Sequence, residues 1–225
     1  MSHLLDFEQD GVAILPSSVS NADIETLRSE FSQLEFKAGA RPFALTASVR
    51  RLIAPSGCFG QALAALGLGK HFPVRVLAFD KTPQSNWNLG WHQDRVIAVK
   101  ARQDADGFSN WTVKNGRPHV EAPLETLNRL LSLRLHLDEC GRSNGALRAI
   151  CGSFRLGKLR DAEVRNLAAT KPSVFCEAGI GEIVAMKALT VHASSPSEQP
   201  LHRRVLHVDY CDAGLPDGLE WALDP

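Results

Sequence analysis

The sequence has no surplus of charge of either sign, and this balance limits the partners that the protein can bind. Twenty-five lysines and arginines offset 25 aspartates and glutamates, and the isoelectric point is about 7.1. Nucleic-acid binders usually carry a basic face, so we expect no nucleic-acid partner. The chain also lacks an apolar run of the roughly 18–20 residues that span a bilayer, which predicts no membrane partner.

Two further absences bear on the cellular compartment. The N-terminal residues show neither the basic segment nor the apolar segment of a secretory signal peptide. The cysteines are odd in number and never form a Cys-x-x-Cys pair; they are Cys58, Cys140, Cys151, Cys176 and Cys211. We therefore predict reduced thiols rather than a disulfide framework or a zinc site, and a cytoplasmic location.

Internal repeats, low-complexity tracts and long linkers are missing as well. The 225 residues, 44% of them hydrophobic and 22% charged, suit one globular unit. We expect a single domain over residues 1–225, with a helical N-terminal part at about 1–70 and a β-rich core at about 71–212. We also expect a monomer or a small homo-oligomer.

Apolar spacing predicts a strand and two helices in the N-terminal part. Residues 11–15 form a short apolar run that is typical of a strand. Ser20 is a candidate N-cap, with Asp23 in the position that a capping box usually gives to Glu. Apolar residues then recur at helical spacing and predict one face packed on a core; they are Ile24, Leu27, Phe31 and Leu34. A second short helix is predicted at about 59–66.

Short β-rich segments separated by turn clusters dominate the rest of the chain. We predict strands at 73–79, 96–99, 132–138, 173–176, 183–186 and 203–210, and a helix at 161–168. Helices followed by many short strands favour a mainly β fold, a sandwich or barrel that carries helices on one side. The polar segment 100–124 is predicted to be a long loop that covers a binding site.

One of the eight histidines stands two residues before an acid in a tight, aromatic-rich turn, Trp91-His92-Gln93-Asp94. In a strand, residues i and i+2 point to the same face, so His92 and Asp94 can present an imidazole and a carboxylate to one point. Such a pair supplies two of the three ligands of a 2-His-1-carboxylate iron site, which leaves positions open for substrate and oxygen. The spacing alone is a weak signal, because most such pairs are surface residues.

A second segment strengthens the metal interpretation. His192 ends an apolar stretch 98 residues after Asp94 (192 minus 94), and Arg203 follows it by 11 residues (203 minus 192) on a predicted strand. A 2-oxoacid-dependent oxygenase needs a third metal ligand and an inward arginine, because the distal carboxylate of the keto acid needs a planar, permanently charged partner. Ser194 can add a hydroxyl to that carboxylate.

These motifs make the chain similar to the phytanoyl-CoA dioxygenase family of iron(II)- and 2-oxoglutarate-dependent oxygenases. The similarity extends over 7–12 (FEQDGV), 86–94 (NWNLGWHQD), 144–147 (NGAL), 192–196 (HASSP) and 203–207 (RRVLH). One departure is Phe154, which stands where many relatives have a histidine after Gly-Ser. That position is not a metal ligand in the family pattern, so the departure leaves the predicted metal site intact.

The resemblance implies a double-stranded β-helix, that is, a cupin-like jelly roll. It also implies iron(II) at His92, Asp94 and His192, and 2-oxoglutarate at Arg203 with Ser194. The implied reaction consumes O2, converts 2-oxoglutarate to succinate and CO2, and hydroxylates an unactivated C–H bond, with ascorbate as a reductant. Asp94 occupies the place that alanine or glycine would leave open for chloride, so hydroxylation, or a related oxidation such as desaturation, is favoured over halogenation.

The substrate is expected to be a small molecule, because 225 residues leave little room for a further substrate-binding domain. Two alternative functions stay open: a non-catalytic jelly-roll binding protein, and a jelly-roll enzyme that uses another metal such as zinc or nickel. Two orientations stay open as well. Arg204 could face the interior instead of Arg203, since side chains alternate on a strand. Arg134 and His136 could line the pocket or form a polar outer face.

The remaining polar residues near the motifs receive structural assignments. Lys81 and Asn86 are predicted to lie in a solvated turn, and His207 is predicted to be a hydrogen-bonded core histidine. Surface positions are predicted for His3, His71, His119 and His202.

Overall fold

The computed structural model describes residues 5–34, 41–198 and 201–223. The helices are α1 Phe7–Asp10, α2 Asn21–Phe31, α3 Ala47–Ile53, α4 Cys58–Ala65, α5 Leu124–Asn128 and α6 Asp161–Thr170. The first strands are β1 Val12–Leu15, β2 Arg41–Pro42, β3 Phe72–Asp80, β4 Leu89–His92, β5 Val96–Ala98, β6 Ser109–Lys114 and β7 Arg117–Glu121. The later strands are β8 Leu131–His136, β9 Leu147–Ala149, β10 Val174–Cys176, β11 Ile183–Lys187, β12 His192–Ser194 and β13 Arg204–Cys211.

Three antiparallel sheets organise these strands. The largest has the order β1-β11-β8-β13-β3-β2, the second β10-β9-β12-β4, and the smallest β5-β7-β6. A cavity lies between the two larger sheets, because its lining residues come from β3, β8 and β13 on one sheet and from β4 and β12 on the other. The predicted mainly β class with flanking helices is therefore confirmed.

The predicted N-terminal elements form for the reasons that the sequence indicates. The hydroxyl oxygen of Ser20 accepts a hydrogen bond from the backbone N–H of Asp23 at 3.1 Å and caps α2. The predicted apolar face of α2 packs in the main core. Helix α3 was not predicted, although Thr46 caps it through the amide of Val49 at 3.3 Å. Its seven residues are too few for a clear helical period.

Strand β8 shows the predicted alternation, but both of its faces are buried. Leu133 and Leu135 belong to the core cluster that also contains the residues of α2 and α4. Arg134 and His136 point the other way and line the cavity. The alternative of a polar outer face is therefore excluded, because the second large sheet covers this side of the strand.

The register of β13 extends the polar face of β8. His207 lies opposite Arg134 and Val205 lies opposite His136, and both β13 residues line the cavity. On the other edge of β13, the same face continues through Leu77 of β3, opposite His207. Three neighbouring strands therefore present one continuous wall to the cavity.

The predicted long loop at 100–124 is wrong. Strands β6 and β7 form a hairpin at 109–121, and β7 pairs with β5. Asn115 and Gly116 make the turn with φ angles of 51° and 74°. An Asn-Gly pair between strands is a strong hairpin signal, because both central residues of a type I′ turn need positive φ. The polarity of the segment hides this signal, since the burial pattern of β6 shows that both of its faces are largely exposed.

Two predictions on composition can also be compared with the structure. All five cysteines are free, as predicted. Within the described ranges, no helix has the length and apolar character needed to cross a membrane. The assignment of residues 1–225 to one domain stays a prediction, and His3 lies outside the described residues.

Candidate active site

Two histidines meet where the ends of two neighbouring strands are paired. Strand β4 ends at His92 and β12 begins at His192, and the two residues are direct cross-strand partners. Their ring centroids are 4.2 Å apart. Cross-strand neighbours project to the same face of a sheet, so both imidazoles face the cavity that they line.

Asp94 joins this pair from just beyond the end of β4. Its Oδ1 lies 3.6 Å from Nε2 of His92, and its Oδ2 lies 3.7 Å from Nε2 of His192. All three possible ligand atoms lie within 4.8 Å of one another. The structure therefore brings together the three residues that the sequence analysis predicted as metal ligands.

The turn between His92 and Asp94 is held by the residue between them. The side-chain amide of Gln93 is buried and donates to the carbonyl oxygens of Gly157 and Leu189, each at 2.8 Å. These bonds anchor the turn after β4 and direct the side chain of Gln93 away from the side chains of His92 and Asp94. The His-x-Asp spacing thus works here through an anchored turn rather than through a continuous strand.

Backbone carbonyls fix the orientation of both imidazoles. Nδ1 of His92 lies 2.8 Å from the carbonyl oxygen of Gly90, and Nδ1 of His192 lies 2.9 Å from that of Thr190. A carbonyl oxygen can only accept, so each Nδ1 carries the proton and each Nε2 keeps its lone pair. Both lone pairs are then available on the side where Asp94 lies, and this is the donor set of a 2-His-1-carboxylate metal site.

The electrostatics favour the ligand forms of His192 and Asp94, whereas His92 must lose a proton that Asp94 stabilises before it can bind a metal ion. Burial lowers the pKa of His192 to about 3, although Asp94 opposes the shift, so this imidazole is neutral at pH 7. Burial also acts to lower the pKa of His92, but the Asp94 carboxylate outweighs it and raises that pKa. Burial acts to raise the pKa of Asp94, whereas His192, His92 and Arg134 hold it well below its ordinary value. Asp94 is therefore a carboxylate at neutral pH.

A buried hydrogen-bond network holds the carboxylate of Asp94 in place. Nη2 of Arg134 donates to Oδ2 of Asp94 at 3.2 Å, and Nε of Arg134 donates to Nδ1 of His207 at 3.1 Å. Nε2 of His207 lies 2.6 Å from Asp209, which also accepts from Arg75 at 2.5 Å. His207 is thus the hydrogen-bonded core histidine that was predicted, and the network positions Asp94.

The two arginines at the start of β13 diverge. Arg203 lines the cavity at 5% exposure, and its Nε has no hydrogen-bond partner. Arg204 pairs instead with Asp138, through contacts of 2.8 and 2.6 Å. Arg203 is therefore the arginine that faces the cavity, as the eleven-residue spacing favoured. Arg204 was predicted to be solvated, but this ion pair half-buries it.

Lys81 does not lie in a solvated turn, and this prediction is wrong. Its side chain has 0% exposure, and Nζ donates to the hydroxyl of Ser194 at 2.8 Å and to the carbonyl of Ser195. Burial and the nearby charge of Arg203 lower the pKa of Lys81 to about 7. Nothing in the local sequence indicates this burial, because Ser194 lies 113 positions further along the chain.

Asn86 is also more constrained than predicted. Its side-chain amide donates to the carbonyl oxygen of Ser197 at 2.8 Å, and its Oδ1 accepts from the N–H of Ser197 at 2.7 Å. This two-bond contact ties the segment before β4 to the segment after β12. It therefore helps to hold His92 and His192 in register.

The cavity has a volume of about 630 Å³. Besides the three candidate metal ligands it is lined by Arg203, Ser194, Trp87 and His136. Neither ring nitrogen of the buried His136 has a hydrogen-bond partner. Burial, Arg203 and Arg134 lower the pKa of His136 to about 3, so it is neutral. Buried polar groups are normally paired, so Arg203 and His136 mark a place for a polar ligand.

The surface predictions for the remaining histidines have mixed outcomes. His202 is exposed, as predicted, and pairs with Asp80 at 2.8 Å. His71 directly precedes β3 and is half-buried. His119 is half-buried too and lines the cavity, so its prediction is wrong; the missed hairpin is the reason, because it folds His119 back over the cavity.

Comparison with known proteins adds to this geometry. The sequence profile of the phytanoyl-CoA dioxygenase family (PhyH) matches residues 7–205. No curated protein sequence matches the chain significantly.

Solved structures resemble the chain over nearly its whole length. AviO1 from Streptomyces viridochromogenes Tue57 is 23% identical, with 94% of each chain covered and a TM-score of 0.63. EctD from S. alaskensis, solved with 2-oxoglutarate and 5-hydroxyectoine, is 18% identical over 91% of this chain and 73% of that one, with a TM-score of 0.64. The epimerase SnoN, solved with Fe3+, alpha-ketoglutarate and nogalamycin RO, is 14% identical over 92% of this chain and 81% of that one, with a TM-score of 0.65. These likenesses confirm the predicted jelly-roll fold.

Proposed function

The chain belongs to the phytanoyl-CoA dioxygenase family and is thus an iron(II)- and 2-oxoglutarate-dependent dioxygenase, and on this premise we propose that it hydroxylates an unactivated C–H bond of a small molecule. In this reaction O2 is consumed, and 2-oxoglutarate becomes succinate and CO2. The observation that carries the proposal is the convergence of His92, Asp94 and His192 on one wall of a cavity that Arg203 also lines, with an Nε that has no hydrogen-bond partner.

His92, Asp94 and His192 would hold the iron through two neutral nitrogens and one carboxylate. Three protein ligands leave positions open for the keto acid and oxygen, and the bound iron supplies the oxidation chemistry. Arg134 keeps the carboxylate oriented through its bond to Oδ2 of Asp94. Such outer partners commonly tune metal affinity, because they fix the ligand rather than touch the metal.

Arg203 would bind the distal carboxylate of 2-oxoglutarate. Its guanidinium is buried, and its Nε has an unmet donor, which a carboxylate satisfies. The hydroxyl of Ser194 lies in the same wall and already accepts from Lys81 while it donates to the carbonyl of Gly145 at 2.8 Å. Ser194 is thereby held in place among the lining residues of the cavity.

The number of candidate metal ligands disfavours the alternative of a jelly-roll enzyme that uses zinc or nickel. Such jelly-roll sites usually carry an additional ligand, often a third histidine. Across the part of the chain that the structure describes, the cluster contains three ligand residues and no fourth. The match of residues 7–205 to the phytanoyl-CoA dioxygenase family favours an enzyme over a non-catalytic binding protein.

The test uses anaerobically purified protein, with metal binding and succinate release as separate readouts. Asp94→Ala and His192→Ala should lose ferrous-iron binding and 2-oxoglutarate turnover while keeping a cooperative thermal transition. His71→Ala is the matched control, because His71 does not line the cavity. Full iron binding and turnover in either ligand variant would contradict the assignment.

A further inference from the structure

The cavity has a strong excess of basic side chains. Six lysine and arginine side chains line it, whereas the chain as a whole balances 25 basic against 25 acidic residues. The six are Arg75, Arg95, Lys114, Arg117, Arg134 and Arg203. Asp94 is the single acidic residue among the described lining residues. A cavity with this imbalance attracts anions.

Four of the six basic side chains have an assigned partner. Arg134 binds Asp94 at 3.2 Å, Arg75 binds Asp209 at 2.5 Å, and Arg95 binds Asp161 at 3.2 Å. The proposed function assigns the fourth, Arg203, to 2-oxoglutarate.

The other two basic residues, Lys114 and Arg117, have no assigned acidic partner. Nη1 of Arg117 donates to the carbonyl oxygen of Ala222 at 2.9 Å, a neutral group that does not balance the charge of the guanidinium. No carboxylate of the described residues lies within ion-pair distance of either side chain.

The β6–β7 hairpin places these two cations at the cavity. Lys114 ends β6, Arg117 begins β7, and the two are cross-strand partners. Arg117 and His119 lie two residues apart on β7 and share a face, and both line the cavity. Burial lowers the pKa of His119, and the charges of Arg75, Lys114 and Arg117 lower it further.

Apolar side chains cover the adjoining wall. Leu77 and Phe79 share the cavity face of β3 with Arg75, and Trp87 and Leu89 line the same cavity. A ligand that satisfies both walls carries an apolar body and a negative group. The guanidinium of Arg117 suits an oxyanion, because its N–H groups can bind two oxygens of one group.

We propose that the substrate is an apolar small molecule with one terminal oxyanion, a carboxylate or a phosphate, which Lys114 and Arg117 of the hairpin bind. The proposal rests on the proposed function, since it concerns the second ligand of the same cavity. It adds a chemical class for the substrate and assigns substrate recognition to the hairpin.

The test measures binding to protein that is saturated with Mn(II) and 2-oxoglutarate under nitrogen, so that the co-substrate site is filled. Calorimetric titrations compare hexanoate, octanoate and decanoate with their primary amides, and octyl phosphate with octylamine. At least one acid should bind about tenfold more tightly than its amide. Octylamine should bind more weakly than octanoate and more weakly than octanamide. Octyl phosphate binding more tightly than octanoate would identify phosphate as the oxyanion.

The double variant Lys114→Gln/Arg117→Gln should weaken binding of the preferred anion about tenfold and leave the affinity for octanamide unchanged. Both side chains are exposed, so the fold should survive. Arg142→Gln is the matched control, because Arg142 is an exposed arginine that pairs with Glu177 and does not line the cavity. It should bind as the wild type does.

The proposal is overturned if no carboxylate binds more tightly than its amide and octyl phosphate binds no more tightly than octylamine, or if the double variant binds the preferred anion as tightly as the wild type. Absence of binding by the whole panel counts as the first of these results. The proposed function fails in a different way: the wild-type protein then does not bind 2-oxoglutarate in the loading step, before any panel compound is added.

Discussion

Replacement of Arg203 by methionine should weaken 2-oxoglutarate binding without unfolding the protein. Methionine keeps most of the side-chain volume and removes the charge and its donors. Arg203 is 5% exposed and has an unpaired Nε, so its partner in the complex is bound out of water. Loss of one member of such a pair costs about 2–5 kcal/mol of binding free energy.

The expected loss lies at the lower end of that range, because a second cation stays in place. Lys81 is buried beside Ser194, and its charge is coupled to that of Arg203. We therefore expect a loss of about 2–3 kcal/mol, which is about 30- to 150-fold in Kd. Arg203→Lys should fall between the wild type and Arg203→Met, because lysine keeps the charge but lacks the planar fork.

The assay is a calorimetric titration of 2-oxoglutarate into Mn(II)-loaded protein under nitrogen. Arg204→Met is the matched control, since Arg204 faces away from the cavity and binds Asp138. It should lower the free energy of unfolding by about 1 kcal/mol and leave the Kd for 2-oxoglutarate within about twofold of the wild type. An unchanged Kd in Arg203→Met, together with a large loss in Arg204→Met, would refute the assigned orientation of β13.

Two further predictions concern a buried cation and the core. The side chain of Lys81 loses its proton as the pH rises through about 7, and an anion beside Arg203 favours the protonated form. The affinity for 2-oxoglutarate should therefore fall above about pH 7, and Lys81→Met should flatten this profile; a pH-independent Kd in the wild type would contradict the coupling. Leu135→Ala, at a fully buried position, should lower the free energy of unfolding by about 2–5 kcal/mol in urea titrations. Val113→Ala, at 72% exposure, should change it by less than about 0.5 kcal/mol, and equal losses in both would contradict the core assignment.

Several elements could be predicted because their signals are local. Ser20 caps α2 through an amide three residues away, so the cap can be read directly from the sequence. The alternation in β8 assigned Leu133 and Leu135 to one face and Arg134 to the other, since a strand has a period of two. The hairpin at 109–121 also has a local signal in its Asn-Gly turn, and the wrong prediction there came from giving polarity more weight than turn chemistry.

Other features depend on contacts between distant segments. The choice between Arg203 and Arg204 follows from the pairing of β13 with β3 and β8, which decides which side chain enters the cavity. The burial of Lys81 depends on Ser194 and Ser195, more than 100 positions away. No short segment of the sequence contains both residues of such a contact, so periodicity and turn chemistry cannot predict it.

From the amino-acid sequence one can infer which residue types form an iron and keto-acid site, and the family resemblance names His92, Asp94, His192, Arg203 and Ser194. Tertiary structure alone decided that the first three meet within 4.8 Å, that Arg203 has an unpaired donor and that basic side chains outnumber acids in the cavity. The difference arises because some interactions act between neighbouring residues and others between distant segments. Backbone geometry sets the direction of a side chain from its neighbours, whereas burial and charge balance depend on every segment that folds around it.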